Sequence, residues 1–446
     1  MTDSTQSPPG VARRSTRELS KAAVSGWLGT AMEFMDFQLY SLAAAIVFNK
    51  IFFPDVSPAI GLIAAMATYG VGYVARLIGA VYFGRMGDRI GRKKVLFLTI
   101  TIMGASTTLI GVLPPYQTIG IAAPILLVVL RLIQGFGAGA EIAGATVMLV
   151  EYAPVKRRGL VASLVSLGTN SGTLAASGLW AVLLAVLTEE QVVAWGWRLP
   201  FLLSFVLLLF GVWMRANLRE SPVFEERQDA EEAAEAESAI ETGLKQRKGR
   251  SFLVALGLRF GQAGNSGLVQ TFLVGYVAST LMIERSVPTN AVVYGSVLGF
   301  ATVPLVGMLG DRFGRRPVYL ALSLLTAVLA VPMMATIATG NTIALTAAMI
   351  LGLNIGVLGL FSVESVTMAE LFGSRTRFTQ LAVAKEIGGT LATAIGPVMA
   401  AGLTAWTQHW WPIAAMLIAY SSITFLATWL APETRGRDLV RTEDAL

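Results

Sequence analysis

The chain has 446 residues, of which 54% are hydrophobic and only 14% are charged, and its mean hydropathy is +0.64. Soluble proteins carry about 25% charged residues, so this composition excludes an ordinary soluble domain and predicts a polytopic helical membrane protein. The net charge of +6 comes from basic residues between the apolar segments, which indicates membrane topology and argues against nucleic-acid binding. The lack of cysteine excludes disulfides and Cys-based metal sites, and the single His409 argues against a His-based metal site.

Apolar segments recur along the whole chain, and each is long enough to cross ~30 Å of hydrocarbon at ~1.5 Å per residue. They predict twelve transmembrane helices, at 21–48, 57–83, 94–113, 119–151, 159–187, 196–215, 252–282, 290–309, 316–338, 342–371, 378–403 and 409–431. The predicted domains are an N-terminal tail, a six-helix half, a linker, a second six-helix half and a C-terminal tail, at 1–20, 21–215, 216–251, 252–431 and 432–446. We interpret the acidic, Ala-rich linker as a solvated cytosolic helix that links the two halves, with a regulatory or partner-binding role as the alternative.

Basic residues concentrate in alternate connections, namely 84–94, 156–158, 312–316 and 375–377. By the positive-inside rule these connections are cytosolic, and so are both termini of a protein in the inner (cytoplasmic) cell membrane. Tryptophans cluster at the opposite edge and predict an interfacial belt, with a cation-binding aromatic cage as the alternative: Trp195, Trp197, Trp406, Trp410 and Trp411.

One charged segment occurs twice, as GRMGDRIGRKK from Gly84 and as GMLGDRFGRRP from Gly307. An aspartate in this segment suits the N-terminus of a neighbouring helix, and Arg92 can bridge Asp88 to Glu151. We therefore predict a cytosolic latch in each half, since a plain basic anchor would not require the aspartate. Its predicted members are Gly84, Asp88, Arg89, Gly91, Arg92 and Glu151 in the first half, and Gly307, Asp311, Arg312, Gly314, Arg315 and Glu370 in the second. A further echo places an acid after the sixth and the twelfth span, at Glu220 and Glu433.

This repeated G-x-x-x-D-R-x-G-R-[KR] pattern resembles the signature of the major facilitator superfamily. The resemblance to that superfamily covers nearly the whole chain. TAMEFMDFQLYS resembles the metabolite:proton symporter family, and VFNKIFFP, ATYGVGYVAR, RLIQGFGAGAE, VEYAPVKRRG, WGWRLPF and ESPVF follow in that family's order. The resemblance implies an all-α fold of two pseudo-symmetric six-helix halves, a monomer, and transport of a small molecule with the proton as coupling ion. Relatives in that family carry shikimate, 2-oxoglutarate, citrate, and proline or betaine. This chain departs from many of them at Lys385-Glu386, where they have a Tyr-Gln pair.

Ionisable residues inside the predicted spans are costly and usually face a cavity or a partner. The chain places five acidic and four basic residues there: Glu33, Asp36, Arg76, Arg131, Glu141, Arg259, Glu364, Lys385 and Glu386. Their near-balance predicts that some of them form ion pairs.

Glu33 and Asp36 lie three residues apart, on one face of the first span that Tyr40 continues. Two carboxylates this close resist simultaneous ionisation, so one of them suits proton coupling. The alternative is that each acid pairs permanently with an arginine. For Arg76 in the second span two roles are open, namely clamping an anionic group and holding Asp36 in place.

Arg131 and Gln134 share a face of the fourth span. The resemblance places Arg131 and Glu141 at the central cavity, with roles in coupling and substrate orientation, and an interhelical salt bridge is the alternative. The predicted proton-coupling residues are thus Asp36, Glu33, Glu141 and Arg131.

The seventh span carries a polar stripe through Arg259, Gln262 and Ser266, which predicts a face toward the central cavity. Asn265, Gln270 and Thr271 lie close to this stripe. Lys385 can either contact substrate or extend its amine to the membrane surface. The predicted substrate-binding residues are Arg76, Tyr40, Gln134, Arg259, Gln262, Asn265, Glu364, Lys385 and Glu386.

These features predict proton-driven uptake of a small polar metabolite, such as shikimate or a di- or tricarboxylate. A zwitterion such as proline or betaine, and proton-antiport efflux, are the alternatives. The sequence lacks a G-x-x-x-x-G-K-[ST] phosphate loop, so ATP does not drive transport directly. Neither a catalytic nucleophile–base pair nor a metal cluster is indicated, so we predict no enzyme activity and no cofactor besides the proton.

Overall fold

The computed structural model describes residues 16–55, 58–228, 248–284, 286–441 and 443–446, and this part of the chain is helical without a strand. Ten of its helices are long and apolar enough to cross a membrane: α1 Arg17–Phe52, α3 Arg92–Val112, α4 Ala122–Tyr152, α5 Val155–Val186, α6 Arg198–Ala216, α8 Ser286–Phe313, α9 Arg315–Ala338, α10 Thr342–Leu371, α11 Arg377–Thr407 and α12 Trp411–Leu430. Two further long helices occupy the second and seventh positions: α2 Pro58–Ile90, and α7, which begins as Lys248–Ser266 and continues as Gly267–Phe272 and Leu273–Ser279.

The repeated charged segment is helical almost throughout, whereas the sequence predicted a connection between spans. α2 continues to Ile90 and α8 to Phe313, so only one residue separates each helix from the next. These residues are Gly91 and Gly314, with φ of 102° and 105°. A positive φ is costly for residues with a side chain, so glycine alone permits this sharp reversal.

Helices pack mainly within two groups, α1–α6 and α7–α12, which we call the first and second halves. In the first half α1 packs on α5, α2 on α4 and α3 on α6, and in the second α7 packs on α11 and α12, and α9 on α12. Between the halves, α5 packs on α8 and α2 packs on α11. These two contacts correspond under the internal repeat, because α8 and α11 are the second-half counterparts of α2 and α5.

α2 and α4 approach so closely that glycine is required at their crossing. A Cβ atom on Gly135 would meet the carbonyl oxygen of Gly72, and one on Gly139 would meet the backbone of Arg76. α4 is also interrupted there, because a turn separates Ala122–Ala138 from Glu141–Tyr152. Small residues that bring helices together are common in membranes, and here they fix the positions of the neighbouring charged side chains.

The C-terminal segment is packed against the bundle. Leu439 is buried, the N–H of Ser374 donates to the carbonyl of Arg441 at 2.9 Å, and the N–H of Ala445 donates to that of Leu371 at 2.8 Å. The predicted tail therefore covers the end of α10. Of the predicted linker 216–251, residues 229–247 lie outside the described part of the chain.

The prediction of an interfacial tryptophan belt is wrong for one residue. Trp197 is fully buried, with Phe48, Phe52 and Phe201 around its ring at centroid distances of 5.7, 5.9 and 6.1 Å. Aromatic edge-to-face packing of this kind stabilises a core. The exposed members are Trp195, Trp406 and Trp411.

Candidate functional site

Each repeated aspartate binds the start of a helix in the opposite half. Asp88 of α2 accepts hydrogen bonds from the backbone N–H and the hydroxyl of Thr379 in α11, at 2.9 and 2.7 Å. Asp311 of α8 accepts from the N–H groups of Gly159 and Leu160 in α5, at 2.8 and 2.9 Å. The first N–H groups of a helix lack partners within it, so a carboxylate stabilises them. We call this end of the bundle the basic end.

The glycines before these aspartates allow the close approach. A Cβ atom on Gly84 would lie 2.8 Å from Cα of Thr379, and one on Gly307 would lie 2.7 Å from the carbonyl oxygen of Gly159. Arg89 and Arg312, which the sequence predicted as latch members, are exposed on the surface.

A buried ion-pair cluster accompanies Asp88. Glu151 lies 3.3 Å from the guanidinium of Arg92, which belongs to its own half, and 2.7 Å from that of Arg377 in the second half. Arg92 also lies 3.9 Å from Asp88, so it is placed between both acids as the sequence predicted. Arg377 contributes the contact between the halves, which the sequence prediction missed.

The second copy has the same design. Glu370 lies 3.2 Å from Arg315 of its own half and 3.8 Å from Arg158 of the first half. Arg315 also pairs with Asp311 at 2.8 Å. Two related clusters thus join the halves at the basic end, and both are closed in this structure.

Two further acids complete the clusters. Glu220 accepts a hydrogen bond from the backbone N–H of Arg92, and Glu433 accepts one from that of Arg315, each at 2.9 Å. They cap the helices that Gly91 and Gly314 precede, although the sequence prediction gave them no role. Their equivalent positions after the sixth and twelfth spans were the sequence feature that could have indicated this role.

Near the middle of the bundle, Arg76 binds one acid from each half. Its Nη1 lies 2.6 Å from Oε1 of Glu33 in α1, and its Nε and Nη2 each lie 2.7 Å from the carboxylate of Glu386 in α11. We call these three residues the Arg76 cluster. Of the two alternatives for Arg76, the one in which it holds Asp36 is wrong, because Arg76 pairs with Glu33 and Glu386.

Asp36 is bound by hydroxyl groups. It accepts from Thr107 at 2.7 Å and from Ser204 at 3.2 Å. The amide of Gln134 donates to the Thr107 hydroxyl at 2.6 Å, and Arg131 donates to the Gln134 carbonyl at 2.5 Å. Arg131 and Gln134 therefore lie on one face of α4, as predicted, and bond to other side chains of the protein in a chain of hydrogen bonds that leads to Asp36.

Aromatic rings of α1 and α2 surround the arginines of the first half. The Arg131 guanidinium lies 4.2 Å from the ring centre of Phe37 and 4.4 Å from that of Tyr40, and Arg76 lies 5.8 Å from that of Tyr73. Such cation–π contacts stabilise buried cations. The Tyr40 hydroxyl pairs with that of Thr68 at 2.6 Å.

Glu141 forms an interhelical salt bridge within the first half. Both of its carboxylate oxygens contact the guanidinium of Arg215 in α6, and the hydroxyl of Thr99 in α3 donates to it at 2.7 Å. The structure thus has the geometry of the salt-bridge alternative. The sequence prediction missed Arg215 because it lies at the end of a span, where an arginine ordinarily serves as a membrane-surface anchor.

In the second half, two cations share one acid. Glu364 of α10 lies 3.6 Å from Arg259 in α7 and 3.7 Å from Lys385 in α11, and both cations lie over the ring of Phe361. We call Arg259, Glu364 and Lys385 the Glu364 cluster. Lys385 is buried, so its amine does not extend to the membrane surface.

The polar stripe of α7 divides between two directions. Gln262 accepts from Arg259 at 2.7 Å and donates to the carbonyl of Val357 at 3.3 Å. Asn265 is fully buried and donates to the hydroxyl of Ser421 in α12 at 3.1 Å. The predicted orientation of Asn265 toward the centre is therefore wrong.

Within the described residues, no group of three or more His, Asp or Glu side chains could hold a metal ion. The site instead consists of buried, paired charges.

A family model described as "Major Facilitator Superfamily" matches residues 26–301, and one described as "Sugar (and other) transporter" matches residues 225–446. The chain belongs to the major facilitator superfamily. The family and the relatives below are transporters, so the chain is a membrane transporter and not an enzyme.

Similar proteins from Escherichia coli K12 cover nearly the whole chain. YdfJ, which carries only the general name of a transporter, is 53% identical over 92% of this chain and 96% of its own length. The shikimate transporter is 36% identical over 93% of this chain and 95% of its own length. The proline/betaine transporter is 33% identical over 95% of this chain and 85% of its own length. These relatives confirm the resemblance to metabolite carriers.

A solved structure with the same fold is the proton:xylose symporter XylE bound to a bromodeoxyglucose. It covers 96% of this chain and 99% of its own, with a TM-score of 0.79 and 17% sequence identity. The bacterial ferroportin homologue in its outward-facing state matches with a TM-score of 0.65 and 14% identity. At such identities the likeness concerns the fold alone, and it confirms the helical architecture.

Proposed function

We propose that this protein carries a small organic anion into the cell together with a proton, by alternating access between its two halves. All twelve helices would cross the inner membrane, with the basic end and both termini in the cytosol, as the positive-inside rule requires. The names of the shikimate transporter and the proton:xylose symporter support a proton-coupled carrier of polar metabolites.

The main support for this proposal is the arrangement of charges in the Arg76 cluster. One arginine is shared by Glu33 of the first half and Glu386 of the second, and all three side chains are buried. Two carboxylates facing one guanidinium leave one negative charge in excess, and a proton removes it. We therefore assign the coupling proton to this cluster and choose Glu33 over Asp36 as the acid of α1.

Aromatic contacts favour an anion over betaine, the alternative that the proline/betaine transporter suggests. Recognition of a quaternary ammonium uses open aromatic faces. Here the rings of Phe37, Tyr40 and Tyr73 already face the guanidinium groups of Arg131 and Arg76.

Uptake by proteoliposomes tests the function directly. Purified protein is reconstituted, a pH gradient is imposed with the outside acidic, and radiolabelled shikimate, 2-oxoglutarate, citrate, proline and betaine are compared. We expect one of the carboxylic acids to accumulate and a protonophore to abolish its accumulation. Uptake that is unchanged after the gradient is collapsed would contradict symport, and accumulation driven only by an acidic interior would indicate antiport.

A further inference from the structure

The two charged clusters at mid-depth have opposite imbalances. The Arg76 cluster contains two carboxylates and one guanidinium, and the Glu364 cluster contains one carboxylate, one guanidinium and one ammonium. With every group ionised, the first has one negative charge in excess and the second has one positive charge in excess. Neighbouring residues of α11, Glu386 and Lys385, supply one member to each.

The Glu364 cluster is poorly satisfied for a buried site. Neither carboxylate oxygen of Glu364 has a hydrogen bond, and its two ion pairs are 3.6 and 3.7 Å long. Charged groups in close ion pairs usually approach to about 2.7–2.9 Å. The side chain of Arg259 keeps 16% of its area accessible, whereas those of Glu364 and Lys385 are buried. One carboxylate is therefore shared loosely by two cations. Arg259 and Lys385 keep hydrogen-bonding capacity for a second carboxylate.

We propose that the Glu364 cluster is the subsite for the substrate's carboxylate, and that its occupation drives protonation of the neighbouring Arg76 cluster. This inference rests on the proposed function and names the class of substrate, a carboxylate that enters together with one proton. Arg259 and Lys385 bind the carboxylate, and Phe361 forms the apolar wall beside them.

Electrostatics supplies the coupling. In the empty site the excess positive charge lies beside the excess negative charge, and each stabilises the other in a medium of low dielectric constant. A bound carboxylate neutralises the positive cluster, so the negative cluster loses its counter-charge and takes up a proton. The effect is reciprocal, because a proton on the Arg76 cluster strengthens binding of the anion by the same factor.

Other charged groups near these clusters are balanced. Glu141 of α4 faces the Glu33 side and is neutralised by Arg215 of α6. Arg131 of α4 lies by Asp36 of α1, in the hydrogen-bonded chain described above. The phenol of Tyr319 in α9 faces the Glu364 side and carries no charge in its ordinary state. The excess charges thus belong to the two clusters on α11.

Protonation also acts on the contact between the halves. Glu386 binds Arg76 through both carboxylate oxygens, and this pair joins α11 to α2. A neutral carboxyl group accepts more weakly than a carboxylate. Binding of anion and proton together thus weakens a bridge between the halves, whereas neither ligand alone neutralises both clusters.

Two substitutions of adjacent residues separate the two roles. Glu386→Gln removes the excess acid, and Lys385→Met removes the excess cation. Isothermal titration of purified protein with shikimate, 2-oxoglutarate and citrate, in two buffers of different ionisation enthalpy, gives both affinity and the protons taken up on binding. For the wild type we expect uptake of about one proton for each anion bound, because each cluster has a single excess charge.

The variants should fail differently. Lys385→Met should weaken anion binding about tenfold or more, because one charged contact is lost. Glu386→Gln should abolish the proton uptake, and affinity should no longer rise at acidic pH. The double variant restores the balance of charge and controls for folding, and Glu189→Gln is a matched control because Glu189 is exposed.

Equal losses of affinity with proton uptake intact in both variants would overturn the proposal, as would failure of all three anions to bind the wild type. Proton-driven uptake of proline or betaine would leave a proton-coupled carrier in place but contradict the carboxylate subsite. If a proton gradient drives uptake of none of the five solutes, the proposed function itself fails.

Discussion

Asp88 of α2 binds Thr379 at the first turn of α11 through two hydrogen bonds, of 2.9 Å to the backbone N–H and 2.7 Å to the hydroxyl. These bonds connect the two halves of the protein. Asp311 does the same to the first turn of α5. The duplicated motif therefore acts in both directions across one interface, and each copy closes the basic end by binding a helix of the other half.

Neutralising either aspartate should open the basic end more often. In Asp88→Asn or Asp311→Asn the side chain accepts less strongly from the helix amides, since charge-assisted hydrogen bonds are about twice as strong as neutral ones. The chain has no cysteine, so spin labels can be placed at Lys94→Cys and Phe313→Cys without a background signal. We expect the label distances to gain a longer population. The control is Asp55→Asn at an exposed site, and unchanged distances in both variants would contradict the role of the latch.

Alanine at Gly91 or Gly314 should destabilise the protein. Each has a positive φ, and an added Cβ atom would meet the carboxylate of Glu220 or Glu433. Backbone strain of this kind costs about 1–3 kcal/mol. Thermal unfolding in detergent measures the loss. Gly178→Ala is the control, because this helical glycine has open space around it and alanine should be neutral or stabilising there.

Breaking the Glu141–Arg215 pair should reduce stability strongly. Removing one partner of a buried ion pair costs about 3–5 kcal/mol, because the other charge is left unpaired. Glu141→Gln should therefore unfold at a lower denaturant concentration, and Glu141→Gln/Arg215→Met should recover much of the loss. If the single variant is as stable as the wild type yet loses proton coupling, the pair acts in coupling and not as a structural bridge.

The two acids of α1 should differ in proton coupling. Glu33→Gln removes the excess charge of the Arg76 cluster, so proteoliposomes should lose gradient-driven accumulation and keep exchange of labelled for unlabelled substrate. Asp36→Asn should keep gradient-driven accumulation, because the partners of Asp36 are the hydroxyls of Thr107 and Ser204. Loss of coupling in Asp36→Asn alone would move the proton site to that residue.

Local pairs were within reach of sequence reasoning, because helical periodicity fixes which neighbours share a face. Arg131 with Gln134, and Arg259 with Gln262, are three residues apart and bond as that spacing allows. The role of Asp88 at a helix N-terminus also followed from its chemistry. Which helix it would bind did not follow, because any of several N-termini at the basic end would satisfy a carboxylate.

Pairs between distant residues inside the spans could not be predicted in the same way, unlike the pair of Arg92 with Glu151, which the repeated motif indicated. Arg76 was assigned to Asp36 or to an anion, and the structure pairs it with Glu33 and Glu386. Arg215 was overlooked at the end of its span, although it neutralises Glu141. The energy of an ion pair depends on distance in space and on burial, and neither quantity is written in the order of residues.

Composition, hydropathy and the internal repeat determined by themselves that this is a helical membrane protein with two related halves, because apolar length and duplicated motifs are properties of the chain alone. The tertiary structure decided how its buried charges are shared. Helix crossing, made close by glycines such as Gly135 and Gly139, sets which side chains meet in a medium of low dielectric constant. The packing of the helices therefore gave the Arg76 cluster an excess acid and the neighbouring Glu364 cluster an excess cation.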